Sequence, residues 1–244
     1  MIKEKEYQLD KFYSGLKKLG LECSGKQINQ FLTFYEMLIE KNKVMNLTAI
    51  TEFEDVVEKH FLDSLSLTET INLNQRLRVL DLGTGAGFPG IPLKIAFPEL
   101  EIVLMDSLNK RILFLKEVLN ELELSDITAI HGRAEEMAVK AEYRETFDLC
   151  ISRAVANLSS LSEYCIPFVK IGGTFVSYKS GEIEDEVVQS KKAISVLGGK
   201  IVKVQKFTLP DTDVSRSLVQ IRKQKRTPKS YPRKSGTPTR NPIR

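Results

Sequence analysis

An α/β fold is what this 244-residue chain predicts: a seven-stranded, mostly parallel sheet with helices on both faces, behind an N-terminal helical cap. Two observations carry that reading. From residue 79 onward, short apolar, β-branched runs alternate with helix-spaced segments, the pattern of parallel strands joined by helical crossovers. Arg78 to Pro92 reads Arg-Val-Leu-Asp-Leu-Gly-Thr-Gly-Ala-Gly-Phe-Pro-Gly-Ile-Pro, an apolar strand that runs through an acid into a glycine turn and opens a helix. Gly83, Gly85 and Gly87 let backbone approach a nucleotide cofactor with no Cβ in the way, and Pro89 suits the first turn of a helix whose free amides face that ligand.

The front of the chain is helical. Leu9, Phe12, Tyr13, Leu16 and Leu19 recur at helical spacing, as do Ile28, Phe31, Leu32, Tyr35, Leu38 and Ile39 after a Ser24-Gly25 break. A polar stretch around Asn46-Leu47-Thr48 leads to a third helical segment over 52–67. Residues 1–75 are therefore expected to form the cap, ahead of a cofactor-binding domain over 76–224. Strands are expected there at 79–82, 102–105, 127–130, 147–151 and 174–178. The helix after the second strand shows Leu108, Ile112, Leu115, Leu119 and Leu122 on one face, with Ser107 placed to cap it. A helix over 183–197 stops at Gly198-Gly199, and two last strands follow at 201–207 and 217–221. Their connection is too short for a helical crossover, so they should pair antiparallel. Pro228, Pro232, Pro238 and Pro242 among Lys, Arg, Ser and Thr predict a disordered tail over 225–244.

A hydrophobic content of 42% suffices for a full core. No apolar run reaches the roughly 18 residues of a membrane span, and the first residues lack the apolar stretch of a signal peptide, so a cytoplasmic protein is expected, with no membrane partner. Cys23, Cys150 and Cys165 show no Cys-x-x-Cys spacing and read as reduced, mostly buried thiols; His60 and His131 are too far apart to suggest a metal centre, and none is predicted. Net charge is +4, but nine cations and no acid fall from Arg222 onward, which leaves the body at −5. A basic tail on an acidic body suits a polyanion, because each phosphate neutralised by Lys or Arg releases counterions; an ordinary solvated terminus is the competing reading.

Ligands in an open doubly wound sheet bind beyond the carboxyl ends of the strands, and polar residues gather there. Asp81 ends the first strand, Asp106 the second, His131 to Arg133 the third and Ser152-Arg153 the fourth, while Lys179 follows the fifth. Asp106 lies 23 positions beyond Gly83, near the interval at which such folds place an acid on the ribose hydroxyls. Gly85-x-Gly87-x-x-Gly90 also satisfies a dinucleotide pattern, so the glycines alone leave two cofactors open. The tight turn must leave the strand directly, however, which makes the pattern Asp81-x-Gly83-x-Gly85-x-Gly87. The sheet with its closing hairpin resembles that of class I methyltransferases, in which this acid-first pattern binds S-adenosyl-L-methionine; Asp81 would attract the cofactor's cationic amine.

Several motifs together resemble one family. They are Asn46-Leu47-Thr48, His60-Phe61-Leu62-Asp63-Ser64-Leu65, the Asp81 to Pro92 loop, Asp106-Ser107 with Lys110-Arg111, Gly132-Arg133-Ala134-Glu135-Glu136, and Ser152-Arg153-Ala154. The set is similar to that of the bacterial small-subunit ribosomal RNA guanine-N7 methyltransferases, the glucose-inhibited division protein B family. The resemblance implies transfer of methyl from S-adenosyl-L-methionine to a guanine N7 of 16S ribosomal RNA, free or in the small subunit, leaving S-adenosyl-L-homocysteine. It further implies that Gly83 and Phe88 contact the cofactor, that Ala134 and Glu135 hold the adenine, and that Arg153 borders the methyl donor; the basic tail lies outside it.

The residues agree with that chemistry. Ser152-Arg153-Ala154 stands where an exocyclic-amine enzyme carries a Pro-Pro-aromatic motif, and Cys150, the nucleophile a pyrimidine C5 reaction would need, lies within a strand. Guanine N7 is already an unprotonated nucleophile, so positioning by Arg153 replaces a general base. Lys110, Arg111, Arg133 and Lys179 are candidate phosphate contacts, and His60 with Asp63, about one helical turn apart, candidate residues at the substrate entrance. A monomer is expected. Two other classes stay in view, a binding protein that has lost transfer and an enzyme acting on protein or small molecules. Removing the tail from Arg226 should weaken RNA binding and leave cofactor affinity unchanged.

Overall fold

A computed structural model describes residues 7–153 and 156–244. Helix α1 (Asp10–Lys18) buries Phe12 and Leu16, with an acid in its first turn and lysines in its last, as the helix dipole favours. Helix α2 (Gly25–Met45) starts at a capping box: Ser24 Oγ accepts from the Gln27 amide while the Gln27 side chain accepts from the Ser24 amide, and left-handed Asn46 ends it. The third helical segment is composite. It runs from α3 (Phe53–Val56) through a π-helical stretch, Val57–Leu62, into α4 (Asp63–Leu65), and tightens to a 3-10 turn at Ser66–Glu69.

The strands are β1 (Arg78–Leu82), β2 (Glu101–Asp106), β3 (Ile127–His131), β4 (Phe147–Ser152), β5 (Val169–Ser180), β6 (Gly199–Thr208) and β7 (Ser215–Lys223). Between them lie α5 (Gly90–Ala96), α6 (Asn109–Glu121), α7 (Ala134–Met137), α8 (Leu158–Cys165) and α9 (Glu184–Val196). The order across the sheet is β3-β2-β1-β4-β5-β7-β6. The first five strands pair parallel, and β7 runs antiparallel to both its neighbours, so the class I methyltransferase topology expected from the sequence is present. Strand order reverses between β1 and β4, which creates the crevice where such folds bind ligands.

Two apolar clusters cover the sheet. One runs without a break from Phe12, Phe31, Phe34 and Phe61 of the N-terminal helices to Phe88 in the glycine loop and Leu104 and Ile151 in the sheet. The rings of Phe34 and Phe88 lie 5.2 Å apart, so the packing of the front helices bears directly on the loop. The other cluster holds Leu80, Met105, Phe147 and Phe175 under α8 and α9.

Two expectations are corrected. Ser107 does not cap α6: the residue before the helix is Leu108, no side chain caps it, and Asp106 Oδ1 accepts from the Leu108 amide at 2.9 Å instead. The tail is not disordered in the structure; it packs on the body and includes a short helix, α10 (Thr237–Arg240). Arg144 donates to the carbonyls of Thr227, Pro228 and Tyr231, and Arg233 forks onto Glu163, whose side chain is fully buried. Proline content signals a chain without regular secondary structure, yet such a chain can still dock when its carbonyls find buried donors.

Candidate active site

Two cavities open at the carboxyl ends of the strands. The first, about 440 Å³, is lined by Leu82 and Gly83 at the end of β1, Met105 and Asp106 of β2, Ser152 of β4, and Ser107, Ala134 and Glu135 beyond. The turn that floors it is left-handed at each glycine, with φ of 72° at Gly83, 61° at Gly85 and 103° at Gly87. A Cβ on Gly83 or Gly85 would stand in open space, whereas one on Gly90 would meet Leu104 and the Asp81 carboxylate. The first two glycines thus leave room for a ligand, and Gly90 lets the helix close on the strand.

Two acids hold the turn. Asp106 Oδ2 accepts from the Gly85 amide at 3.0 Å and from Arg111 Nη1 at 3.2 Å, and Oδ1 accepts from Leu108. A carboxylate accepts about four hydrogen bonds, so Asp106, which lines the cavity, keeps capacity for a ribose hydroxyl. Asp81 is wholly buried; its Oδ2 accepts from Thr84 Oγ1 at 2.7 Å and the Gly90 amide at 2.9 Å. Oδ1 has no hydrogen-bond partner among the described residues. Burial raises the Asp81 carboxyl to about 6, against the pull of those two donors. A buried acceptor left unpaired is costly, and a cationic ligand beside the turn would relieve it. The residues therefore fit a nucleoside that carries an amine.

The second cavity, about 520 Å³, is lined by His60, Asp63, Arg153, Tyr178, Lys179 and Arg216 among others. Arg153 Nη1 donates to Asp63 Oδ2 and Arg216 Nε to Asp63 Oδ1, each at 2.8 Å, so one nearly buried carboxylate organises two guanidinium groups. His60 stacks on Phe88 with ring centres 4.6 Å apart, and Arg153 lies over the same ring. Thr48 Oγ1 bonds His60 Nε2 at 2.8 Å, while Nδ1 sits 3.0 Å from the Lys59 carbonyl and 3.3 Å from Arg153 Nη2. The neutral ring has one N–H to place, so its two Nδ1 bonds exclude each other. Burial and the charge of Arg153 lower His60 to about 4, which keeps the ring neutral near pH 7. His60 sits within the π-helical stretch, and local π-helix is frequent at functional sites.

Residues 27–219 match the family described as rRNA small subunit methyltransferase G, the GidB family. The chain belongs to this family. A "Ribosomal RNA small subunit methyltransferase G" from Lachnoclostridium phytofermentans is 55% identical over 232 residues, which span 95% of this chain and 96% of that relative. The Acetivibrio thermocellus protein of the same name is 48% identical across 98% of this chain and 99% of its own. That alignment leaves too few residues uncovered to omit the basic tail, so the tail does not lie outside the resemblance. Among solved structures, a SAM-dependent methyltransferase from Aquifex aeolicus shares the fold with a TM-score of 0.51, at 16% identity over 68% of this chain and 92% of that one. The Methanococcus jannaschii fibrillarin pre-rRNA processing protein does so at 0.51, with 17% identity over 64% and 70%.

In this family member the residues singled out from sequence separate into distinct places. Gly83, Asp106, Ser107, Ala134 and Glu135 line the first cavity; Arg153, His60, Asp63 and Lys179 line the second. Arg111 and Arg133, expected on RNA phosphates, line the first cavity instead, and Arg111 is spent on Asp106. Lys179 is no free phosphate contact, because its ammonium donates to the Ala156 carbonyl at 2.7 Å and to Glu186 at 2.5 Å. Lys110 is exposed and lines neither cavity. Asp81, Gly87 and Phe88 are buried and do not line the first cavity, while Gly85, in the same turn, is partly open to solvent. Ala154 of the Ser152-Arg153-Ala154 motif falls outside the described residues. Sequence reasoning missed Arg216, Tyr178, Gly236 and Thr239, all of which line one cavity or the other.

Proposed function

We propose that the chain transfers a methyl group from S-adenosylmethionine to N7 of a guanine in 16S ribosomal RNA, acting as a cytoplasmic monomer on the RNA or its subunit. One observation carries the choice of atom: each carboxylate lining the second cavity is already paired, Asp63 with Arg153 and Arg216, and Glu186 with Lys179. His60, the remaining base, is held neutral with its ring nitrogens engaged. A cavity without a free base among the described residues suits a nucleophile that needs no deprotonation, and guanine N7 is one. Cys150 and Cys165 are fully buried, and burial pushes the Cys165 thiol well above its usual range, which disfavours a thiolate route to a pyrimidine carbon.

Bound in the first cavity, S-adenosylmethionine supplies a methyl group activated by its sulfonium. Asp106 would hold the ribose, the Gly83 to Gly87 turn would admit the amino-acid arm, and buried Asp81 would attract its amine. Consecutive residues Ser152 and Arg153 line the first and second cavities, so a base held in the second lies next to the donor. The Arg153 and Arg216 guanidinium groups, fixed by Asp63, offer donors to a guanine edge, and proximity and orientation then supply the catalysis. Labelled methyl transfer onto deproteinised 16S RNA and onto 30S subunits, followed by mass mapping, should yield 7-methylguanosine on one of them. Silence on both, with cofactor bound, overturns the proposal and leaves a binding protein; label in another nucleoside overturns the choice of atom.

A further inference from the structure

We infer that the C-terminal segment is part of the cofactor site: residues 227–233 anchor it, and the residues after them, Gly236 and Thr239 above all, form the outer wall at the nucleoside end of the first cavity. The inference rests on the S-adenosylmethionine reading.

The anchor is built into the body. Glu163 of α8 is fully buried, and among the described residues its carboxylate is satisfied by the tail alone: the Arg233 amide donates to it at 2.8 Å, Nε at 2.9 Å and Nη2 at 2.6 Å. A buried carboxylate without a cation is strongly unfavourable, so the core of α8 is complete only with Arg233 in place. Arg144 fixes the backbone just before it by donating to three tail carbonyls.

Beyond the anchor, the chain turns to the cavity. The Gly236 amide donates to Glu135 Oε1 at 3.0 Å, Ser160 Oγ donates to the Pro238 carbonyl at 2.7 Å, and Tyr164 Oη meets Thr239 Oγ1 at 2.7 Å. Gly236, Thr239, Glu135 and Tyr164 all line the first cavity. In a doubly wound sheet the acid ending β2 takes the ribose, and the resemblance to the family implies that Ala134 and Glu135, after β3, hold the adenine. The wall that closes over this end comes from the tail. Left-handed Gly236, with φ of 78°, makes the turn that brings Thr239 back over the opening. This reverses the expectation that removing the tail would leave cofactor affinity unchanged.

Truncation after Lys234 separates wall from anchor, since it keeps Arg233 and the Arg144 bonds. Calorimetry with S-adenosylhomocysteine and with adenosine, on full chain and truncated chain, should show both ligands weakened by a common factor of about tenfold, as expected for losing one wall of a buried site. Adenosine lacks the amino-acid arm, so an equal loss places the effect at the nucleoside end. Thermal unfolding of the ligand-free proteins should match. Unchanged affinity overturns the inference, as does a loss confined to S-adenosylhomocysteine. Should the truncated chain melt early, Thr239→Trp decides the matter: it keeps the strap, adds bulk at the wall and should weaken both ligands, and wild-type affinity overturns the inference. A full chain that binds neither ligand overturns the cofactor reading itself along with it.

Discussion

Two buried titratable groups pull the acid stability of this protein in opposite directions. His60 falls to about 4 in the fold from an ordinary value of 6.5, so the folded state binds protons less readily than the unfolded chain. Its contribution is present above the unfolded value and is lost as pH falls through 4, about 3 kcal/mol over the interval. Asp81 rises to about 6 from 3.8, so its contribution is full below the unfolded value and is lost as pH rises through 6. That is again about 3 kcal/mol. Between pH 6.5 and 4 the two largely cancel. Asp81→Asn removes the acid-side gain, and urea unfolding at these two pH values should then show about 2 kcal/mol more loss on acidification than wild type. Adding His60→Gln should restore the flat profile; an Asp81→Asn profile that matches wild type would show that the carboxyl does not titrate in this range.

At the scale of elements, the glycine turn divides its residues by what a side chain would meet. Gly85 faces open space with φ of 61°, so Gly85→Val costs mainly backbone strain, about 1–2 kcal/mol, and fills the ligand's room. Gly90→Ala instead drives a Cβ to 2.3 Å from Leu104 and 2.8 Å from Asp81, which attacks the packing of α5 on β1. Gly85→Val should therefore lose cofactor binding with a modest drop in melting temperature, and Gly90→Ala should show the larger drop. Retained calorimetric affinity in Gly85→Val would refute the turn's assignment. This turn was legible because its signal is local, as were the seven strands, whose β-branched runs state their own period. Arg216 was not. It reaches Asp63 only because β7 pairs antiparallel to β5 in the register that sets it opposite Ser180, and no local pattern states that register. The π-helical stretch is hidden in the same way, since its sequence reads as ordinary helix. The tail misled for the converse reason: its prolines are local, and the buried Glu163 that holds it lies 70 positions away.

On the scale of the whole molecule, the same burial revises the charge argument. Nine cations from Arg222 onward suggested a polyanion-binding tail, but Lys223 is buried on the Ile166 carbonyl and Thr227, and Arg233 is committed to Glu163. The other seven are exposed, and four of them, Lys225, Arg226, Lys229 and Lys234, lie between Lys223 and the wall residues Gly236 and Thr239. These four belong to the segment whose later residues line the first cavity. Charge and wall are separable. Replacing these four by Gln leaves Arg233, Gly236 and Thr239 in place, so affinity for S-adenosylhomocysteine should not change. RNA affinity should fall uniformly across sequences, and the slope of log affinity against log salt should flatten by about 3 if all four touch phosphate, at about 0.7 per contact on single strands. Filter binding from about 50 to 200 mM salt, a range chosen to resolve such slopes, measures it directly. An unchanged slope would assign RNA attraction to cations other than these four, while a changed cofactor affinity would mean that these charges also hold the strap against its cavity.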